Sequence, residues 1–195
     1  MISYRRLLTA SVMLTLVGSG VAMAQDDGPP VGHTIEVVGV EYAYAGLPSS
    51  VPVGSSLTFT NAGAEVHELA LFRVGDDVTM SLDELLMLED PVAMGLAEMA
   101  SELPLLAGAG SVAEGALTIE RAGRYVAVCL IPQGLTDASL FDGLEPDDDL
   151  ADLPIELQEL YLTKPPHALL GMVVEFEVTP SDGPIAGGGE TAADG

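Results

Sequence analysis

Apolar and polar positions alternate in short runs along most of the chain, a pattern with a period of two that predicts strands. Thr34 to Ala45 is rich in Val, Ile and Tyr, and the alternation changes phase at Gly39, where a bulge is expected. Val51-Pro52-Val53-Gly54 reads as a turn into a strand from Ser56 to Thr60. His67 to Val74, Ala116 to Glu120, Arg124 to Ile131 and Met172 to Val178 complete the set. Several such strands separated by turn signals predict an all-β fold, an antiparallel β-sandwich.

Two stretches break this rhythm and read as insertions, at about 75–110 and 135–163. In the first, Ser81-Leu82-Asp83-Glu84 is a capping box ahead of Leu85, Leu86 and Leu88, so a short helix starts there, with room for a second after Pro91. The other is acidic, including Glu145-Pro146-Asp147-Asp148-Asp149, and offers a helical turn or two at Ile155 to Leu162. The domain is expected to span 33–180. A leader at 25–32 precedes it, and a Gly-rich tail with no expected structure occupies 181–195.

Composition sharpens this picture at the N-terminus. Arg5 and Arg6 precede an apolar stretch from Leu7 to Val21 that ends in Ala22-Met23-Ala24, which predicts a secretory signal over 1–24, cleaved after Ala24, and export to a periplasmic or extracellular space. The whole chain carries 30 acidic against 6 basic residues, net -24. After cleavage the charge is -26 over 171 residues. Nucleic acid and anionic membrane surfaces are poor partners for such a protein. Cys129 is the only cysteine. In an oxidising compartment an unpaired thiol must be deeply buried or bound to something.

Strand alternation indicates where the soft donors point. Tyr125, Ala127 and Cys129 share a face, Met172 leads the row Val174, Phe176, Val178, and His67 leads Leu69 and Leu71. His167 lies five residues before Met172. Two imidazoles, a thiolate and a thioether suit a His₂Cys copper site with a weak axial Met, whereas zinc or iron–sulfur sites want more thiolates. Other readings are bland: His33 is a solvated residue near the mature N-terminus, and Met80, Met87 and Met94 fill apolar core space rather than bind Cu(I). Asp147 to Asp149 is a solvated acidic loop.

Three segments resemble the cupredoxins, or type 1 blue copper proteins. They are Phe59-Thr60-Asn61-Ala62-Gly63 with His67-Glu68-Leu69, then Gly123-Arg124-Tyr125-Val126-Ala127-Val128-Cys129, and finally Pro166-His167-Ala168-Leu169-Leu170-Gly171-Met172. The resemblance implies a Greek-key sandwich with one type 1 copper site, in which His67, Cys129 and His167 are equatorial ligands and Met172 is axial. It also implies that the exposed edge of His167 is the electron-transfer surface. One departure stands out: 37 residues separate Cys129 from His167 where the family has a handful. Closing a longer loop costs little extra entropy, so the site can survive, but the insertion can cover that edge.

The expected function is therefore that of an exported one-electron carrier, a monomer that meets a redox partner protein. Two alternatives are a copper-binding protein for storage or delivery, and a structural sandwich with a vestigial site. An enzyme is not expected. Three histidines are too few for the several sites of a multicopper oxidase, and no Ser-His-Asp set, phosphate loop or HExxH motif is present.

Overall fold

Residues 33–88, 90–101, 103–144 and 148–181 are described by a computed structural model. The expected signal and leader and the tail beyond residue 181 lie outside the described residues, as do Glu145, Pro146 and Asp147 of the acidic run. The strands are β1 (Thr34–Val40), β2 (Ala43–Ala45), β3 (Ser50–Pro52), β4 (Ser56–Asn61), β5 (His67–Val74), β6 (Ala97–Met99), β7 (Leu105–Ala107), β8 (Leu117–Thr118), β9 (Gly123–Val128) and β10 (Val173–Thr179). The helices are α1 (Leu82–Leu86), α2 (Asp90–Leu96) and α3 (Ile155–Thr163).

Two sheets face each other. One has the order β2-β1-β4-β8, and the other runs β3-β10-β9-β5, with β6 and β7 pairing along the far edge of β5. In β4 the alternation is regular: Leu57, Phe59 and Asn61 are buried and the residues between them half-buried. These join Val37, Leu69, Leu71, Tyr125, Ala127, Phe176 and Val178 in the core between the sheets. The sandwich is as expected in class, but each sheet contains one parallel pair, β1 with β4 and β3 with β10. Alternation assigns faces and carries no information on strand direction.

All eight residues of β5 are buried. Its inner face packs on the core, and its outer face is covered because the 75–110 insertion returns over the sheet. Leu85 of α1 packs on Val74 and Val126, under the capping box made by Ser81 and Glu84. The same insertion supplies β6 and β7, which pair with an otherwise open strand edge. Met80 is packed beneath α1, but Met87, at the end of that helix, is 85% exposed. The methionine recurrence is thus no single packed stripe, because α1 ends after Leu86 and breaks the helical period.

The expected strand from Thr34 to Ala45 is instead a hairpin, with Val40 paired to Ala43 across a two-residue turn at Glu41 and Tyr42. Tyr42 adopts φ +59°, a left-handed conformation that costs a non-glycine residue of order 1 kcal/mol. Gly39 is not a bulge but a close approach: a Cβ there would lie 2.8 Å from Phe59 Cζ and 3.1 Å from Met172 Cε.

The 135–163 segment is no loose excursion. Leu135 and Leu157 are fully buried members of the main core, and Leu140, Phe141, Leu153 and Leu160 pack against it. Burying one such leucine stabilises the fold by roughly 1.5–3 kcal/mol. The base of the segment is clamped by a bridge between Pro132 and Pro166 and by Gln133 N–H donating to Pro165 O.

Candidate metal centre

At one end of the sandwich the start of β5, the end of β9 and the turn before β10 come together. β9 pairs with β5 on one side and β10 on the other, so Cys129, one residue beyond β9, lies between His67 and Met172. Cys129 N–H donates to Met172 O at 3.1 Å and Ala168 N–H to Cys129 O at 2.9 Å. His167 N–H donates to Ile131 O, which brings the far end of the long segment back beside the cysteine. A single helical turn, His167–Leu170, ends at Gly171 with φ +115°, and Met172 N–H donates to His167 O at 2.9 Å. Glycine suits that left-handed position, and a Cβ there would also press on Tyr42 O at 3.3 Å.

The result is a donor cluster. His67, Cys129 and His167 are fully buried, and their ligand atoms all lie within 4.8 Å of one another. The two Nδ1 atoms are 3.0 Å apart and Cys129 Sγ is 3.4 Å from His167 Nδ1. One end of the sandwich thus gathers two imidazoles and a thiol, one donor from the strand upstream and two from the chain after β9. This is the donor set, in the chain order, that the sequence led us to expect.

No protein-family model matches the sequence, and no curated protein does. Among solved structures, a reduced auracyanin from Roseiflexus castenholzii is 21% identical, with 76% of this chain and 98% of that one covered and a TM-score of 0.40. Auracyanin A from Chloroflexus aurantiacus is 19% identical over 75% and 98% of the two chains, TM-score 0.38. A purple cupredoxin from Nitrosopumilus maritimus is 16% identical over 50% and 85%, TM-score 0.26. These likenesses are shallow, and the chemistry of the donor cluster is read from its own geometry.

Two imidazoles and a thiol suit a soft metal ion, and three observations describe their state without one. Burial holds both imidazoles below the usual histidine range, so they are neutral with a lone pair each at neutral pH. The Cys129 thiol is pushed up to about 12, by burial first and then by the Glu68 carboxyl, so in the absence of a cation it keeps its proton. Finally, His67 Nε2 is the single buried side-chain nitrogen or oxygen among the described residues that has no hydrogen-bond partner. Such an orphan is what remains when the one proton between the two Nδ1 atoms sits on His67 and leaves its Nε2 a bare lone pair. Sγ also accepts Glu68 N–H at 3.4 Å, a contact that favours the thiolate form.

Met172, the fourth residue singled out in the sequence, is fully buried with its backbone tied to both Cys129 and His167. His33 is exposed and stands apart from this cluster. The resemblance implied an exposed edge for His167, but that histidine has no solvent exposure. Its Nε2 is 2.9 Å from Glu65 Oε2, and the Tyr42 ring lies 5.0 Å from its own. Asn61 is what fixes this wall: its Nδ2 donates to Glu65 O and to Ala107 O, while its Oδ1 accepts Gly63 N–H. Glu41 accepts Ala64 N–H from the hairpin side.

Sequence reasoning missed Glu41, Tyr42, Glu65 and Glu68. Glu65 and Glu68 did carry a signal, since acids on both sides of a candidate ligand in an apolar run need partners. Glu68, pushed up to about 7 by burial, finds one in Leu130 N–H at 2.7 Å.

Proposed function

We propose that this cupredoxin-like protein holds one copper ion through His67, Cys129 and His167, with Met172 as a weak axial ligand, and serves as an exported one-electron carrier. The observation that carries the reading is the convergence of the three buried donors within 4.8 Å. Copper in a His₂Cys set with a weak thioether cycles between Cu(II) and Cu(I). The chain's part is to keep that set rigid. Cys129 is fixed by backbone bonds on both sides, His167 by Ile131, and the turn at Gly171 by His167 itself. A site whose ligands barely rearrange exchanges electrons with little reorganisation.

Burial supports this reading over copper delivery. Delivery requires the ion to leave, and both imidazoles and the thiol are shut away from solvent. The experiment compares Met172→Leu with the combined Met80→Leu/Met87→Leu/Met94→Leu variant in the copper-loaded protein. A carrier changes its midpoint potential with the first and keeps its Cu(I) affinity with the second; a delivery protein loses Cu(I) affinity with the second. Metal analysis of protein purified from its native host addresses a vestigial site, which would hold no stoichiometric copper. Export is supported by the sequence of residues 1–24, and a mature N-terminus at Gln25 is the expected result of N-terminal sequencing. The charge of -26 on the mature chain reads first as a high-salt or acid-proteome habitat and second as a match for a cationic redox partner.

A further inference from the structure

The edge of His167 that would face solvent is closed by a carboxylate whose hydrogen bonds all arrive from donors. Glu65 Oε2 is 2.9 Å from His167 Nε2 and accepts Gly134 N–H at 2.7 Å. Oε1 accepts the Tyr42 hydroxyl at 3.2 Å, and that hydroxyl in turn accepts Gln133 Nε2–H at 3.1 Å. The side chain of Glu65 is only 18% exposed. Its backbone is held as firmly, by Asn61 Nδ2 donating to Glu65 O at 2.8 Å and by the next residue, Val66, donating to Leu135 O at 2.7 Å.

An ionised carboxylate only accepts hydrogen bonds, so His167 must present N–H at Nε2. Its Nδ1 is then a bare lone pair, aimed at Cys129 Sγ and His67 Nδ1. Flipping the ring would put a C–H against the carboxylate and remove the lone pair from the cluster. We infer that Glu65 is a positioning residue for the metal centre: it selects the Nε2–H tautomer of His167, fixes the ring, and sets a negative charge one imidazole away from the ion. This inference rests on the proposed copper site. Carboxylates that orient metal-bound histidines are a general device; here the arrangement also shuts the ring edge, and one of its donors, Gly134, comes from the chain between Cys129 and His167. Gln133 and Gly134 lie just before the 135–163 segment, whose first residue, Leu135, accepts Val66 N–H beside Glu65. The strained Tyr42 also takes part, since its left-handed backbone aims the hydroxyl at Glu65 and the ring at His167.

Two full-length variants test this. Glu65→Gln keeps an oxygen for His167 Nε2–H and Gly134 N–H but loses the charge; Glu65→Ala loses both. In the metal-free protein, long-range ¹H–¹⁵N spectra should show His167 as a single Nε2–H tautomer in the wild type and in Glu65→Gln, and as a mixture in Glu65→Ala. With copper, Glu65→Gln should keep the thiolate-to-copper band with a higher midpoint potential, since a lost negative charge favours Cu(I). Glu65→Ala should lose about 10–100-fold in Cu(II) affinity. A single unchanged tautomer in Glu65→Ala overturns the inference. So does an unchanged potential in Glu65→Gln, which decides the matter if the alanine variant fails to fold. Absence of the band in the wild type would instead sink the copper site itself, leaving the tautomer measurement to judge Glu65.

Discussion

Glu68→Gln in the metal-free protein offers a quantitative check on the electrostatics of this centre. The Glu68 carboxyl is enclosed beside His67 and Cys129, where burial raises its pKa from 4.5 to about 7 while the Leu130 N–H bond partly opposes the rise. A carboxyl with a raised folded pKa stabilises the protein fully below its unfolded value. That contribution is lost as pH climbs from 4.5 through 7, because the unfolded chain ionises first. The gap between the two pKa values is worth about 3 kcal/mol. Glutamine keeps a carbonyl oxygen for Leu130 N–H and carries no charge. In urea denaturation of the metal-free protein, the variant should match the wild type near pH 4.5 and exceed it by up to ~3 kcal/mol at pH 8. A difference that does not change with pH, or a variant no more stable at pH 8, would show that Glu68 is not held protonated by burial.

Other parts of the molecule give three further expected outcomes. Because the Cys129 thiol is held near 12 and both histidines are neutral, Co(II) binding between pH 7 and 9 should release one proton, with affinity rising about tenfold per pH unit. Calorimetry in buffers of different protonation enthalpy measures this, and zero proton release would mean the thiolate is not a ligand. Gly63→Ala places a Cβ 2.7 Å from His67 Nε2 and 2.6 Å from Glu41 Oε1, so Cu(II) affinity should fall, whereas Gly95→Ala, which points into open space, should leave it unchanged. Equal affinities by competitive titration would count against the tight wall around His67. Leu157→Ala should cost roughly 2–5 kcal/mol in denaturant titration, and a loss below about 1 would show that the 135–163 segment does not share the core.

The parts of the fold legible in the sequence were those set by local rules. β5 runs from His67 to Val74, the bounds its apolar run predicts, and the capping box at Ser81 starts α1. The order of donors along the chain also pointed to His67, Cys129 and His167, and strand pairing draws those three into one cluster. Tertiary choices were not legible. The turn at Glu41 and Tyr42 lacks the Asn or Gly that announces a hairpin, since its strain is borne by contacts to residues far along the chain. Leu135 and Leu157 sit in an acidic stretch with no clear period, so their burial depends on packing against a core built elsewhere. Glu65 illustrates the same limit: its partners come from positions 42, 134 and 167, and no sequence spacing joins them.

Whether Cys129 and two histidines hold a single copper ion is decided by the visible spectrum of the purified mature protein during titration with Cu(II), recorded beside Cys129→Ser. An intense blue thiolate-to-copper band should grow in the wild type, saturate at one copper per chain, and be absent from the serine variant. A wild-type protein that stays colourless, or a band that survives Cys129→Ser, would rule the site out.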